Sequence, residues 1–237
     1  MYETIHFPSK DGLLITADWY NASADAASKQ SNGAIVRGTI VRGTIVLCHR
    51  SHCNRAEYRQ TAPRLVSLGY KCLALDQRSG MKVFGETNET SKRAKEQGLA
   101  TGYLAARPDI EAAVEHAFAL GGNTPIVLFG SSYSASLALL LASGSHADMI
   151  ASVVAFSPGE YLKGVRVAEE LHDLQKPTFV TGSLKEIELA REVSRYIPRT
   201  YLTFFSPEAE GFHGSKALWD SVAGYEAYWQ ALERFLG

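Results

Sequence analysis

The chain has 237 residues and a formal net charge of −1, and 46% of its residues are apolar and 21% charged. This balance excludes wholesale disorder, and the near-neutral charge gives no footprint for binding nucleic acid or an anionic membrane surface. Length and composition together predict one folded domain over residues 1–237 that buries its own core.

The sequence shows no segment that predicts export or membrane insertion. No apolar run approaches the ~20 residues that a membrane-spanning helix needs. Residues 1–4 lack the basic and apolar regions of a signal peptide. The three cysteines are an odd number in a chain with a large core, which favours reduced thiols. We therefore expect a cytoplasmic protein that contacts no membrane.

Strand-like and helix-like segments alternate in chain order after an opening hairpin. Two apolar, β-branched segments flank Asp11-Gly12 and predict antiparallel strands at 2–7 and 13–20. A polar stretch at 21–33 predicts a surface loop. Further strands are predicted at 35–48, 71–75, 125–129, 150–156, 177–181 and 201–205, and helices at 55–68, from 108 onward, and at 134–142, 186–196 and 218–236. This alternation predicts an α/β fold, with a mostly parallel sheet of about eight strands and helices on both faces.

One short repeat interrupts this pattern. The sequence VRGTI at 36–40 recurs at once at 41–45. A shift of five residues is odd, so each copied residue would point to the opposite face of a strand. Because the second copy continues into the apolar residues 46–48, we expect it to form a central strand. The first copy is then an overhang or an extension of that strand.

Residues 77–107 form the longest predicted connection, a polar segment between a strand and a helix. Connections of this length are usually functional lids or mobile segments. The positive and negative side chains of this segment are balanced, so it indicates no preference for a charged ligand. Both interpretations, a lid and a solvated mobile loop, stay open.

The chemistry is concentrated at residues 125–135. An apolar strand is followed by Gly130-Ser-Ser132-Tyr133-Ser134 and then by an Ala/Leu helix, which is the context of a nucleophile elbow. A serine on so sharp a turn needs small neighbours two residues away, and Gly130 and Ser134 supply them. The turn would expose the Ser132 hydroxyl and aim the Tyr133 amide at the same point. The alternative is that this motif is only a polar turn at the start of a helix, with no catalytic role.

A serine hydroxyl needs a base, and His213 is the best placed of the seven histidines. It lies in the stretch Gly211-Phe-His-Gly-Ser215, between the last strand and the last helix. In a doubly wound sheet this loop lies at the carboxyl edge, where Ser132 also lies and where ligands bind. We therefore predict that His213 is the base. A histidine with a purely structural or surface role is the alternative.

The third member should be a carboxylate at the same edge, between Ser132 and His213 in sequence. Glu186 and Glu188 follow the strand predicted at 177–181, and Glu186 is nearer to that strand. Glu160, after the preceding strand, is the rival, although a single glutamate is most often a solvated loop charge. We predict Glu186 as the acid and expect Glu188 to point elsewhere.

The order Ser132, Glu186, His213, the elbow and the opening hairpin resemble the α/β-hydrolase superfamily, and most of all its compact dienelactone-hydrolase-like group. Supporting stretches are Asn54-Arg-Ala-Glu-Tyr58, Leu75-Asp-Gln-Arg78 and the stretch around the histidine, and the resemblance covers nearly the whole chain. The resemblance implies an α/β-hydrolase fold and hydrolysis of esters or related acyl bonds through an acyl-enzyme, with no cofactor. Dienelactone hydrolases proper use a cysteine nucleophile, so dienelactone itself is not the expected substrate.

The sequence departs from that family after the strand that ends at Cys48. The family pattern there is His-Gly followed by a donor to the oxyanion, whereas this chain has His49-Arg50-Ser51. By position, the donors are the backbone amides of Ser51 and Tyr133. If a positive φ is needed at this position, Arg50 is strained or the loop is rearranged. Its side chain could bind a substrate carboxylate, point to solvent or obstruct the site.

The same stretch has a second interpretation, because Cys48, His49, His52 and Cys53 are residue types that bind metals. Zinc sites usually combine two separated pairs of ligands, and no second pair occurs elsewhere in the sequence. We therefore predict no metal. Cys53 has no elbow around it and is a weaker nucleophile candidate than Ser132.

These patterns predict a serine hydrolase that cleaves a carboxylic ester or thioester of a small to medium acyl substrate. The segment between the strands at 150–156 and 177–181 is too short for a helical cap domain, so the site should be open to small soluble molecules. Two alternatives stay open: a non-catalytic binding protein whose oxyanion hole is impaired by Arg50, and a peptidase or acyltransferase that uses the same triad.

Overall fold

The computed structural model describes residues 1–21 and 42–237. The strands are β1 (Glu3–Pro8), β2 (Leu14–Tyr20), β3 (Gly43–Cys48), β4 (Tyr70–Leu75), β5 (Ile126–Ser131), β6 (Ile150–Phe156), β7 (Thr178–Thr181) and β8 (Leu202–Phe204). The α-helices are α1 (Thr61–Ser67), α2 (Glu89–Glu96), α3 (Arg107–Leu120), α4 (Tyr133–Ser143), α5 (Ile187–Val193) and α6 (Tyr225–Leu236). No helix in this part of the chain is long and apolar enough to cross a membrane.

The strands form one eight-stranded sheet in the order β1-β2-β4-β3-β5-β6-β7-β8. The hairpin β1–β2 is antiparallel and joins β4 in antiparallel fashion, and every later pairing is parallel. The predicted mostly parallel sheet with an antiparallel hairpin at its edge is therefore confirmed. Because β3 and β5 are central, the carboxyl ends of β3, β5 and β6 lie side by side at one edge.

Apolar side chains fill both faces of the sheet. Val46 and Cys48 of β3 pack with α3, α4 and α5 on one face, whereas Ile45 and Leu47 pack with α1 and α6 on the other. This alternation follows the two-residue period of a strand, and all six residues of β3 are buried. Helix α4, which follows the predicted elbow, is almost wholly buried, as expected for a helix at the centre of one layer.

Strand β3 confirms the expectation for the second copy of the VRGTI repeat, since its residues from Gly43 onward lie in the centre of the sheet. The first copy, at 36–40, and nearly all of the predicted loop at 21–33 lie outside the described residues.

Three predicted helices are shorter than expected, and the one predicted at 186–196 is α5, Ile187–Val193. The segment 55–68 contains a 3₁₀ turn, Arg55–Tyr58, and α1 begins only at Thr61. The segment 218–236 contains the end of another 3₁₀ turn, Gly214–Leu218, and α6 begins at Tyr225. Gly224 has a φ of +80°, a left-handed conformation that ends the continuous helical period on its N-terminal side. The apolar spacing of 218–236 thus spans two elements that share one buried face.

The connection 77–107 is more ordered than its composition suggests, because it contains α2 and is fastened to the protein. The side-chain amide of the buried Asn54 donates to the carbonyls of Met81, Val83 and Glu86 at 3.4, 3.0 and 2.9 Å. These bonds tie the first part of the connection to the loop after β3. This part is a packed wall beside the carboxyl edge rather than a free lid.

Candidate active site

Ser132 lies on a sharp turn between β5 and α4, as the elbow pattern predicts. Its φ and ψ are 63° and −127°, a conformation that a residue with a side chain rarely adopts. The backbone amide of Ser132 donates to the carbonyl of Phe156 at 2.8 Å, which fastens the turn to the neighbouring strand β6. Such a backbone conformation costs about 1–3 kcal/mol, which the surrounding structure must compensate. Strain held in this way is typical of a functional site.

The turn also explains the glycine at position 130. A Cβ added there would overlap the backbone of Ser134 and Ala135. We expect Gly130→Ala to lower the free energy of unfolding by about 3 kcal/mol, because the obstacle is backbone and cannot move aside. Gly102→Ala is the matched control, since nothing lies within 4 Å of its added Cβ. Chemical denaturation of both variants measures the difference, and equal stability would contradict the predicted close approach.

The structure brings the three predicted side chains Ser132, His213 and Glu186 into one hydrogen-bonded chain. His213 Nδ1 lies 2.6 Å from Glu186 Oε1, and His213 Nε2 lies 2.8 Å from Ser132 Oγ. A carboxylate only accepts, so the imidazole proton belongs on Nδ1, and Nε2 accepts from the Ser132 hydroxyl. Ser132 is 5% exposed. The arrangement can transfer a proton from the hydroxyl to the imidazole.

The second oxygen of Glu186 is also bound. Ser183 Oγ donates to Glu186 Oε2 at 2.8 Å, and Ser157 Oγ donates to the same oxygen at 3.2 Å. Burial raises the pKa of the Glu186 carboxyl, but the hydrogen bonds from His213 and Ser183 outweigh it and leave the pKa below its usual value. Glu186 is therefore an anion that is fixed in place over the pH range in which histidine titrates.

Neither rival carboxylate contacts the histidine. Glu160 accepts hydrogen bonds from the amides of Val167 and Ala168 at 2.7 and 2.9 Å, where it caps a 3₁₀ turn. Glu188 lies on α5 and pairs with Arg191 at 3.4 Å. Of the three predicted candidates, the structure places Glu186 beside His213.

The metal interpretation of the loop after β3 is not supported. Among the described residues, no group of three or more His, Cys, Asp or Glu side chains converges on a metal position. His49 Nε2 accepts from the Gln77 amide at 2.9 Å, so Nδ1 carries the proton toward the carbonyl of Arg50 at 2.7 Å. Burial lowers the pKa of His49, and it raises the pKa of the Cys48 and Cys53 thiols. His49 is thus a buried neutral group, and Cys53 is not an activated nucleophile.

The condition for backbone strain at Arg50 is not met. Arg50 does not have a positive φ, and the left-handed residue of this loop is His52, with a φ of 55°. The Arg50 side chain does not extend into solvent, because it lies 3.8 Å from Glu57 and over the ring of Phe212 at 5.9 Å. Phe212 precedes His213, so Arg50 lies at the wall of the site.

The two predicted oxyanion donors keep their amides available. In the described ranges, the backbone N–H groups of Ser51 and Tyr133 have no hydrogen-bond acceptor. The Tyr133 side chain is fully buried, and its hydroxyl is bound by Gln77 and Ser79. This anchor holds the residue after Ser132 with its N–H free.

Sequence reasoning missed Glu57 and Ser157. Glu57 is fully buried and accepts hydrogen bonds from Ser131 and Ser215. Ser157 follows β6 with a φ of 53°, accepts from the Gly214 amide at 2.9 Å and donates to Glu186. A charged residue on the otherwise buried side of the turn 55–58 is the signal that could have pointed to Glu57. No local pattern marks Ser157.

Among solved structures, three examples are similar to this protein over nearly its whole chain. They are the Pyrococcus furiosus esterase Pf2001 (15% identity, 100% of this chain and 93% of that one, TM-score 0.66), a dienelactone hydrolase from Anabaena variabilis (13%, 99% and 96%, TM-score 0.68) and an esterase domain from a Rhodothermus marinus protein (14%, 100% and 100%, TM-score 0.63). At these identities the likeness shows the fold, and it confirms the α/β-hydrolase fold. No curated protein matches the sequence significantly.

Comparison of the sequence with protein families assigns the chain to a family. The model described as serine aminopeptidase, S33, matches residues 39–203, from the strand β3 to the strand β8. The match covers more than half of the chain and includes the elbow and Glu186. The chain belongs to the serine aminopeptidase S33 family of hydrolases.

Proposed function

We propose that the protein is a serine esterase that cleaves a carboxylic ester or thioester of a small to medium acyl group. The observation that carries this proposal is the hydrogen-bonded chain Glu186–His213–Ser132 at a strained elbow, with distances of 2.6 and 2.8 Å. Two of the similar solved structures are esterases and one is a dienelactone hydrolase, which supports ester chemistry.

In the proposed mechanism, His213 removes the proton of Ser132 as Oγ attacks the acyl carbonyl. The amides of Tyr133 and Ser51 hold the negative oxygen of the tetrahedral intermediate. The intermediate collapses, the C–O bond to the alcohol breaks, and His213 gives its proton to the leaving alkoxide. Water then attacks the acyl-enzyme with the same histidine as base, which releases the acid and restores Ser132.

The rate should fall at acid pH. Nε2 of His213 must be unprotonated to accept the Ser132 proton, and a proton bound there at acid pH removes the base. Glu186, whose pKa is lowered, stays ionised across the pH range of the assay and does not contribute to the fall. The measurement is kcat/KM for a neutral ester from pH 5 to 8. A flat profile would contradict the assignment of His213 as the base.

The family name favours a second candidate, an aminopeptidase on the same three residues. An aminopeptidase must bind the protonated amino group of its substrate close to the scissile bond, which calls for negative charge. Beside His213, Arg50 and Lys216 both lie over the ring of Phe212, at 5.9 and 4.3 Å. Positive charge at this wall opposes an ammonium group, so we favour the ester.

An ester and two anilides, one with a free and one with an acetylated amino group, distinguish an esterase from an aminopeptidase. We expect turnover of p-nitrophenyl butyrate, and little cleavage of leucine p-nitroanilide whether its amino group is free or acetylated. The comparison of kcat/KM on these three compounds is the test. Cleavage of the anilide that is lost on acetylation would show that the site recognises a free amino group and would overturn the esterase proposal.

A further inference from the structure

Glu57 lies at the centre of a buried hydrogen-bond network beneath the proposed site. Its Oε1 accepts from the hydroxyls of Ser131 at 2.8 Å and Ser215 at 2.6 Å, and its Oε2 accepts from the backbone N–H of Arg50 at 3.0 Å. The side chain has no exposure to solvent. Burying a carboxylate away from water costs free energy, and these hydrogen bonds compensate that cost.

The three partners of Glu57 belong to three different segments of the chain, and each lies within two residues of a residue of the proposed mechanism. Ser131 immediately precedes Ser132, Ser215 is two residues after His213, and Arg50 immediately precedes Ser51. The Ser215 amide also donates to Ser131 Oγ at 2.9 Å. This bond joins the end of β5, just before Ser132, to residues 211–215, the histidine loop.

The network needs a carboxylate rather than any polar group. Each carboxylate oxygen accepts up to two hydrogen bonds, and bonds to an ionised acceptor are about twice as strong as neutral ones. Glutamine has one acceptor oxygen, and its NH₂ group would face either the Arg50 N–H or the two hydroxyls. If the NH₂ group faces the Arg50 N–H, a donor faces a donor. If it faces the hydroxyls instead, Ser131 and Ser215 must turn to accept and lose the bonds that they donate to Glu57.

We propose that Glu57 is a positioning residue of the active site, which sets the placement of Ser132, His213 and the Ser51 amide relative to one another without contacting the substrate. The proposal rests on the proposed function, since it assumes that these three groups perform the chemistry. Their relative placement governs the chemical step more than substrate binding. A displacement of about 1 Å at reacting groups costs roughly 10²-fold in rate.

The first test is Glu57→Gln, assayed as kcat and KM for p-nitrophenyl butyrate per active site titrated with a fluorophosphonate. Titration counts only folded, reactive protein, so a loss of stability alone does not change the result. We expect kcat per titrated site to fall roughly 10²-fold while KM changes by less than about threefold. An unchanged kcat per site, or a rise in KM alone, would overturn the proposal.

Asp18→Asn is the matched control. Asp18 is another fully buried carboxylate, on β2, and it pairs with Arg55 at 3.1 Å and Arg59 at 3.2 Å. Its replacement also removes a buried negative charge and destabilises the fold, but we expect kcat per titrated site to stay within about twofold of the wild type. An equal fall of kcat in both variants would show that the effect of Glu57 is one of general stability.

A double-mutant cycle with Ser215→Ala tests the route of action. If Glu57 acts through the histidine loop, the double variant loses less than the product of the two single effects, because both changes break the same link. Independent, multiplicative effects would overturn this route. Should Glu57→Gln fail to fold, Ser215→Ala removes one bond to Glu57, and Ser131→Ala removes one bond to Glu57 together with the bond from the Ser215 amide. Both variants are judged by the same split of kcat against KM. Wild-type protein that neither labels nor turns over would instead refute the proposed function itself.

Discussion

Replacement of Ser132 by alanine is expected to lower kcat for ester hydrolysis by at least about 10⁴-fold. Ser132 carries the attacking oxygen, and its hydroxyl is bound to His213 Nε2 at 2.8 Å. Without Oγ there is no acyl-enzyme, and only water activated by the histidine remains as a nucleophile. The measurement is the initial rate of p-nitrophenyl butyrate hydrolysis with purified wild type and Ser132→Ala, each shown to be folded by its thermal transition.

Ser136→Ala is the matched control for this loss. Ser136 lies one helical turn further along α4, is fully buried, and donates to the Gly159 carbonyl at 2.7 Å. It loses a buried hydroxyl as Ser132 does, but that hydroxyl faces the loop after β6 rather than His213. We expect kcat within about twofold of the wild type and a stability loss of about 1 kcal/mol. Retention of full activity by Ser132→Ala would refute the elbow as the source of the nucleophile.

Glu186→Gln is expected to lower kcat by roughly 10³–10⁴-fold. The carboxylate accepts from His213 Nδ1 at 2.6 Å and so keeps the proton on that nitrogen. Glutamine can present its NH₂ group to Nδ1 instead, which favours the tautomer with the proton on Nε2. A protonated Nε2 cannot accept the proton of Ser132. The carboxylate also stabilises the imidazolium that forms in the transition state, and glutamine lacks that charge.

Glu160→Gln separates the two candidate acids. Glu160 accepts from the amides of Val167 and Ala168 and does not contact His213, so its replacement weakens a cap without touching the site. We expect a loss of about 1 kcal/mol in the free energy of unfolding and an unchanged kcat. The reverse result, with kcat lost in Glu160→Gln and kept in Glu186→Gln, would show that Glu160 and not Glu186 is the acid.

The sequence could predict those parts of the site that depend on neighbouring residues or on the order of strands and helices. Ser132 was predictable because a strand, a glycine two residues before the serine and an apolar helix occur together in eleven residues. His213 and Glu186 followed from topology, since loops after parallel strands share one edge of the sheet. The edge itself was predictable from the alternation of strands and helices, and the position of β3 from its apolar run.

The parts that sequence could not predict depend on contacts between distant segments. Glu57 is 74 residues from Ser131 and 158 from Ser215, and no local pattern marks a residue that collects such partners. The helix break at Gly224 depends on a left-handed φ, whereas apolar spacing alone indicates one continuous helix. Strain at Arg50 depended on the φ angles of the loop, which the sequence does not give, and the left-handed residue there is His52. Asn54 likewise fixes the connection 77–107 through backbone carbonyls, which composition does not show.

The most direct test of the account is to label the wild-type protein with a fluorophosphonate and to map the modified peptide by mass spectrometry. We expect one phosphonyl group per chain, on Ser132, because attack by Oγ on phosphorus with loss of fluoride needs the base and the oxyanion donors but no particular substrate. Labelling of another residue, or a folded protein that does not label, would contradict the account. The second outcome would favour a binding protein that keeps the fold with its Ser132, His213 and Glu186 idle.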